Sequence, residues 1–250
     1  MAHRNDICTA LDGLLKPHLF QDYCPNGLQV EGKAEIDHVV TGVTACQALI
    51  DEAVNRGADA LLVHHGYFWR GEDPCIKGMK GQRIKSLLCA DMNLFAYHLP
   101  LDCHPTLGNN AGLGRAMGLE EFGPLKSEEI AFPVFLGSFA ESRSLSQIAM
   151  TLRGVLNREV LVEGEQDIRT VAWCTGGGQG YIEAAADAGV DLFVTGEVSE
   201  QTIHVARERG VAFIAAGHHA TERFGVQSVG DWLAAELGCR HSFIDIPNPA

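Results

Sequence analysis

Leu61-Leu62-Val63-His64-His65-Gly66 sets three aliphatic residues directly against two histidines and a glycine. The aliphatic run reads as a strand buried on both faces, the pattern of a parallel sheet. The glycine lets the chain turn sharply behind it. Open α/β sheets bind ligands beyond the carboxyl ends of their strands, so two adjacent imidazoles stand where a site would be. Taken alone they would pass for ordinary turn histidines, and the rest of the chain decides between the two readings.

Upstream, Ile7, Leu11, Leu14 and Leu15 repeat at helical spacing, and Pro17 closes that helix. A turn signal at Asn26-Gly27 follows. A strand at His38–Val43 and a helix at Gln47–Arg56, with Ile50, Ala53 and Val54 inward and Gly57 as its cap, lead into Leu61. Downstream, Tyr67-Phe68-Trp69 is an aromatic loop that forms either a substrate wall or subunit contact, or folds back into the core. A helix at Gln82–Asp91 buries Ile84, Leu87 and Leu88, and a strand at Leu94–Tyr97 runs into His98-Leu99-Pro100-Leu101-Asp102. Asn109–Met117 is helical. Glu120–Glu129 is polar and lacks periodicity, which places a domain boundary there, between a first domain over 1–125 and a second over 126–250. Phe132–Phe139 reads as a strand, and Ser144-Leu145-Ser146-Gln147 as a capping box. Leu145, Ile148, Leu152 and Val155 share the face of the helix it opens. Strands at Val160–Val162, Thr170–Cys174, Asp191–Thr195, Val211–Ala216 and Ser242–Ile246 alternate with helices at Tyr181–Ala188, Gln201–Arg209 and Ser228–Leu237. The class is α/β with substantially parallel pairing, and the C-terminal segment can pack back on the first domain.

Composition bounds the function. The chain has 250 residues, 46% hydrophobic and 20% charged, which is ordinary for a folded protein. Nineteen Lys and Arg against 32 Asp and Glu give a formal charge of −13, which repels nucleic-acid backbones. Eight cysteines include no C-x-x-C pair, so reduced thiols in a cytoplasmic protein are expected. No signal peptide and no membrane-length apolar run is evident.

Two segments match at an offset of 132: Gln47 with Gln179, Ile50 with Ile182, Ala53 with Ala185, Gly57 with Gly189 and Asp59 with Asp191. The match suggests duplicated βαβ units, against convergence of generic βαβ composition. His64-His65 then fall opposite Gly196-Glu197. The next strand of each half ends in a histidine with an acid four residues on, His98 with Asp102 and His218 with Glu222. Imidazole and carboxylate together are ligands of Zn, Fe, Mn, Co and Ni. The pooled set exceeds what one tetrahedral ion uses, so two ions sharing a bridging carboxylate are expected. Such a pair could generate hydroxide near neutral pH. The run Gly176-Gly177-Gly178-Gln179-Gly180 is either a tight turn or a phosphate contact at a helix start; it matches neither a P-loop nor G-x-G-x-x-G. No G-x-S-x-G occurs.

His64-His65-Gly66, His98-x-x-x-Asp102 and Gly217-His218-His219-x-x-Glu222, with Pro25-Asn26-Gly27-Leu28-Gln29 and Ile244-Asp245-Ile246-Pro247-Asn248-Pro249, resemble the YbgI-like family, also labelled GTP cyclohydrolase I type 2 homologues. The resemblance implies two interlinked α/β domains with a dinuclear metal centre in the cleft between them, and a toroidal homohexamer. It carries the ligand role onto His64, His65, Asp102, His218 and Glu222, with Asp102 as the bridge. His98 would be a further ligand or a proton donor. His219 would stand outside, because the family accepts aromatic residues there. The expected function is that of a metal-dependent hydrolase of a small, nucleotide-like molecule, with two divalent ions per subunit and His98 or Glu197 as general acid/base. The alternative is a non-catalytic metal-binding ring acting as scaffold or regulator.

Overall fold

Strand β1 (Ala2–His3) runs straight into helix α1 (Arg4–Leu15) in the computed structural model, which describes residues 1–126 and 133–250. Ile7, Leu11 and Leu15 are the buried face of α1, as their spacing demands. Then come β2 (Gly27–Val30), β3 (Glu35–Ile36), β4 (His38–Thr44), α2 (Gln47–Asn55), β5 (Ala60–His65), α3 (Gly78–Cys89), β6 (Asn93–Ala96) and a short α4 (Leu99–Cys103). The chain continues through α5 (Asn109–Ala116), β7 (Phe122–Pro124), β8 (Phe135–Ser144), α6 (Leu145–Leu156), β9 (Leu161–Glu163), β10 (Asp167–Cys174), α7 (Ile182–Asp187) and β11 (Leu192–Thr195). Helix α8 (Glu200–Arg209), β12 (Ala212–Ala215), α9 (His218–Thr221), α10 (Arg223–Leu237) and β13 (Arg240–Phe243) complete it.

The chain forms two compact units, Met1–Leu101 with Gly225–Pro247, and Asp102–Phe224 with Asn248–Ala250. The break therefore falls at Leu101/Asp102, and the boundary expected after residue 125 lies inside the second unit. The reason is that β7, in the polar stretch read as a linker, pairs antiparallel with β8 and forms a sheet edge. The end of that stretch and the expected strand start at Phe132 lie outside the described residues.

The first unit holds a five-stranded sheet in the order β13-β4-β5-β6-β2, parallel except for β2. The second holds a six-stranded sheet, β7-β8-β10-β11-β12-β9. Only β10, β11 and β12 are parallel there, and the pairings outside them are antiparallel. Mostly parallel pairing thus holds for the first sheet only, because among sheet neighbours of the second only these three strands are joined by helical crossovers.

Alternation along β10 builds two cores. Val171 and Trp173 enter one cluster with α5 and α6 residues, while Ala172 and Cys174 enter another with α7 and α8; successive side chains point to opposite faces. In the first unit one cluster joins Val40, Leu61, Val63 and Leu94 to Leu49, Ile50 and Ala53 of α2. Three residues expected inward face solvent: Val54 (42% exposed), Leu88 (57%) and Val155 (46%). Each sits directly beside a buried residue, Ala53, Leu87 and Leu156 in turn, and the 100° step between neighbours turns it outward. The Ser144–Gln147 capping box is present as expected.

The internal repeat is visible in hydrogen bonds. Asp59 Oδ2 accepts from the Asp37 and His38 amides at 2.7 and 2.9 Å. Asp191 Oδ2 accepts from the Arg169 and Thr170 amides at 2.9 and 2.8 Å. Gly57 and Gly189, both at positive φ (66° and 72°), end the preceding helices. A further repeat escaped the sequence reading: Val30-Glu31-Gly32 and Val162-Glu163-Gly164, at the end of the antiparallel edge strand of each sheet. The register also corrects one correspondence. Tyr97 N bonds Val63 O, and Ala216 N bonds Thr195 O, so His98 is level with Gly217 and not with His218.

Candidate metal centre

In the first unit the imidazoles come from the ends of two neighbouring parallel strands. His64 closes β5 fully buried, and its Nδ1 lies 3.0 Å from Tyr97 O. A backbone carbonyl can only accept, so Nδ1 carries the proton and Nε2 the lone pair. The next residue, His65, is half-buried, with Nδ1 3.1 Å from Thr44 Oγ1. Their ring centroids are 4.5 Å apart. The turn behind them needs Gly66, since a Cβ there would overlap the Gln29 amide. That amide clamps Tyr67 through its N (2.7 Å) and O (3.1 Å). His98 follows β6, its ring 5.0 Å from His64 and 5.8 Å from His65. One donor nitrogen from each of the three lies within 4.8 Å of the others.

Asp22 fixes His98. Its Oδ1 is 2.7 Å from His98 Nδ1, and its Oδ2 accepts from Leu99 N at 2.9 Å. Burial pushes the Asp22 carboxyl up, but the bonds from His98, Asn26 and the Tyr23 amide outweigh it and hold the group below its ordinary value. Cys24 is close enough to group with Asp22 and His98. Burial, then the Asp22 charge, pushes its thiol up to about 12, so it stays protonated and is a poor nucleophile or ligand. Trp69 stands edge-on to His98 at 5.0 Å, whereas Tyr67 is buried with its hydroxyl on Ala45 O. The aromatic loop thus splits: Tyr67 belongs to the core, and Trp69 walls the histidines.

In the second unit the donors are Asp102, His218 and Glu222. Asp102 and Glu222 are buried (6% and 3% exposed) and bring carboxylate oxygens within 4.8 Å of each other. Asn109 Nδ2 (2.8 Å) and Thr175 Oγ1 (3.1 Å) both donate to Asp102 Oδ1. His218 sits between two acids, Nδ1 2.7 Å from Glu197 Oε1 and Nε2 3.2 Å from Glu222 Oε1. The Glu222 bond first, then the Glu222 charge and Glu197, outweigh burial and push this imidazole up to about 9. Gln179 Nε2 holds the other Glu197 oxygen at 3.0 Å.

The two H-x-x-x-acid motifs therefore differ. His218 and Glu222 pair across one helical turn, as i and i+4 allow. His98 pairs with Asp22, and Asp102 with Asn109 and Thr175. His219 joins no His/Cys/Asp/Glu group able to hold an ion among the described residues. Cys103 is buried. The glycine run resolves toward close packing. A Cβ at Gly176 (φ +66°) would overlap the Glu222 carboxylate, and one at Gly178 would meet Cys174 Cβ at 2.6 Å. Glu197 and Glu222 flank Gly176-Gly177, and their charge disfavours phosphate there.

Sequence reasoning missed Asp22, Thr44, Asn109, Thr175 and Gln179, the residues that orient the donors. Asn109-Asn110 carried a signal: a polar pair inside an apolar helix pattern has buried work to do. Asn110 bonds Pro133 O (2.9 Å) and receives Thr175 N (3.1 Å).

Comparison with known proteins bears on the whole chain. The sequence pattern described as Duf34/NIF3 (NGG1p interacting factor 3) matches residues 2–249. A Pseudomonas aeruginosa protein named GTP cyclohydrolase 1 type 2 homolog is 57% identical over 240 residues, covering 96% of this chain and 95% of its own. A solved structure described as protein ybgI, of unknown function, superposes with a TM-score of 0.94 at 49% identity, covering 99% of this chain and 100% of that one. One from Thermus thermophilus gives 0.89 at 34% identity, with 99% and 100% coverage.

Proposed function

The chain belongs to the Duf34/NIF3 family, and we propose that it is a dinuclear metal-binding protein that hydrolyses a small nucleotide-like molecule. One observation carries the metal reading. Nδ1 of His64, His65 and His218 is held in turn by Tyr97 O, Thr44 Oγ1 and Glu197 Oε1. That is the outer-shell arrangement of ligating histidines, which fixes the ring and the tautomer. The donor set fits: imidazole nitrogens with buried carboxylates, and a thiol kept protonated, suit a divalent Fe, Mn, Zn, Ni or Co ion, which would displace the proton that His218 shares with Glu222.

His64, His65, Asp102, His218 and Glu222 would hold two ions per subunit, with Asp102 shared. Bound metal would supply Lewis acidity and activation of water near neutral pH. The chain's own residues do the rest. Asp22 fixes the His98 ring with its Nδ1 proton engaged, so Nε2 is the atom that takes or gives a proton to substrate. Glu197 acts through His218 as a positioning residue, clamped by Gln179. Trp69 limits water at His98. The relatives' names motivate a purine nucleotide as substrate class. A homohexamer in the cytoplasm completes the reading, and no helix of the described residues is long and apolar enough to cross a membrane.

The test is elemental analysis of metal-refilled protein, followed by a nucleotide screen with Mn, Fe, Zn, Ni and Co loaded separately. About two ions per subunit and metal-dependent turnover are expected. One ion at saturation sinks the dinuclear centre. Two ions without turnover across the screen sink the hydrolase and favour a scaffold. Light scattering that shows a monomer removes the hexamer.

A further inference from the structure

Trp69 and Tyr23 approach His98 from two separate loops of the first unit. The Trp69 ring lies 5.0 Å from the imidazole at 84°, and the Tyr23 ring 6.2 Å from it at 64°. Trp69 also stands 5.9 Å from the His65 ring. Neither ring is absorbed by the core. Trp69 is half-buried, and Tyr23 is 55% exposed. An aromatic face left to water costs free energy in proportion to its apolar area, so something must hold these rings where they are.

Their main chain does so. Tyr23 N donates to Asp22 Oδ1, and Tyr23 O accepts from Arg70 N, each at 2.6 Å. Glu72 Oε2 accepts from the Phe68 and Trp69 amides at 3.0 and 3.2 Å, and Lys80 fixes Glu72 from 3.4 Å. Phe68, directly before Trp69, has φ +67°, a left-handed conformation that strains a bulky residue. Such strain persists only where surrounding bonds over-determine it, and it collects at binding and catalytic loops.

The rings also have little left to offer except their faces. Trp69 Nε1 donates to Gly66 O at 3.2 Å, so the one donor of the indole is spent. Arg70 lies over one face of Tyr23, its Cζ 5.8 Å from the centroid, and its Nη2 is tied to Asp22 O at 2.9 Å. The opposite face of Tyr23 then accounts for the ring's exposure. Pinned aromatic faces suit a flat, π-rich group, because stacking needs no matched donor or acceptor.

We propose that Trp69 and Tyr23 are specificity-determining residues that stack the heteroaromatic ring of the ligand, a nucleobase, beside His98. This deepens the hydrolase reading and rests on it only for the fate of the bound ring.

The test uses the full chain refilled with metal. Guanosine, uridine and ribose are titrated separately, each followed by calorimetry and by tryptophan emission. The nucleosides should bind and quench the emission, and ribose should do neither. The tighter nucleoside assigns the ring as purine or pyrimidine. Trp69→Leu and Tyr23→Leu should each weaken nucleoside binding about tenfold with metal content unchanged. Trp69→Phe keeps a ring, so it should lose about threefold or less. It should also abolish the quench, because only Trp173 and Trp232 remain to emit. Ribose binding as tight as that of the nucleosides overturns the proposal, as does a wild type that binds neither nucleoside. Equal nucleoside affinity in the wild type and both Leu variants overturns it too, and if light scattering then shows a changed assembly the rings are a subunit contact. A quench that survives in Trp69→Phe overturns it even where the Leu variants fail to fold. Turnover separates the two readings. Ring-dependent nucleoside binding without turnover of any nucleotide keeps the stack and sinks the hydrolase. Turnover with KM unchanged in both Leu variants keeps the hydrolase and sinks the stack.

Discussion

Two His-His pairs stand in related units and do different things. His64-His65 ends a strand, and both rings join one cluster with His98. His218-His219 opens a short helix, and only His218 reaches an acid cluster. The difference is geometric. Beyond a strand end, the turn at Gly66 lets adjacent rings converge to 4.5 Å. On a helix each residue is rotated by about 100° from the last, so the partner of His218 is Glu222, one turn on. The strand that matches β5 explains why the second unit needed another solution. Gly196 stands where the repeat has His64, and a Cβ there would meet Gly176 O at 2.5 Å and His218 Cα at 2.7 Å. The same scaffold thus offers ligands from a strand in one unit and from the following helix in the other.

The largest expected effect comes from removing the proposed shared acid. Asp102→Ala should abolish uptake of both ions and leave Asn109 Nδ2 and Thr175 Oγ1 without their acceptor. The metal-free chain should lose about 1–3 kcal/mol for the buried donors alone. The metal-dependent rise in melting temperature, which follows from ions binding only the folded state, should vanish. If Asp102→Ala still binds two ions per subunit, Asp102 is not the shared ligand proposed.

Next in size is Gly196→Ala. Its new methyl collides with backbone on two sides, which cannot move aside as a side chain tip can. A loss of about 1–3 kcal/mol is expected, read from denaturant midpoints. A neutral result would mean that the second strand end has room for a ligand, and the contrast with His64 would lose its steric basis.

How much of this was legible follows the same geometry. The strand Leu61–Val63 and the histidines behind it are contiguous, so pattern alone placed them. The Asp59/Asp191 repeat was legible because helix, glycine stop and acid keep fixed spacing. The Leu101/Asp102 break was not, because α4 runs through it without a change in composition. Nor was the partner of His98. Asp22 lies 76 residues away in sequence, and only the antiparallel addition of β2 beside β6 brings its loop there. Edge strands such as β7 are short and half-exposed, so their periodicity is too weak to read.

A smaller effect tests the repeat itself. Asp59 and Asp191 accept equivalent amide pairs, but their third partners differ. Asp59 has Lys33 at 2.5 Å; the matching position is Glu165, and Asp191 takes Thr170 Oγ1 at 2.9 Å instead. Burial raises both carboxyls. Lys33 with the amides of Asp37 and His38, and the amides and hydroxyl at Thr170 and Arg169, outweigh it and hold both below the ordinary value. Each group then contributes stability that is present above the unfolded carboxylate value of about 3.9 and is lost as pH falls through the lower folded value. Asp59→Asn and Asp191→Asn should each cost about 1–2 kcal/mol at neutral pH and flatten the acid limb of stability against pH. Added salt should narrow the gap between wild type and variant for Asp59, whose lysine is partly exposed, and not for Asp191. Identical salt dependence would show that the Lys33 pair adds nothing and that the two acids are energetically the same.

The smallest effect is expected at His219. It follows His218 directly and is half-buried, yet it lies about 100° around α9 from the face that His218 shares with Glu222. A phenyl ring retains its bulk and planarity and removes both ring nitrogens. His219→Phe should therefore keep the metal content of the wild type and shift the melting temperature by no more than about 2 °C. His65→Phe, the same exchange in the strand-borne pair, should lose metal, because there both members of the dipeptide converge. Measuring the two variants side by side puts the comparison at risk in one experiment. If His219→Phe loses as much metal as His65→Phe, the helix does not separate its two histidines functionally, and the ligand assignment in the second unit is wrong.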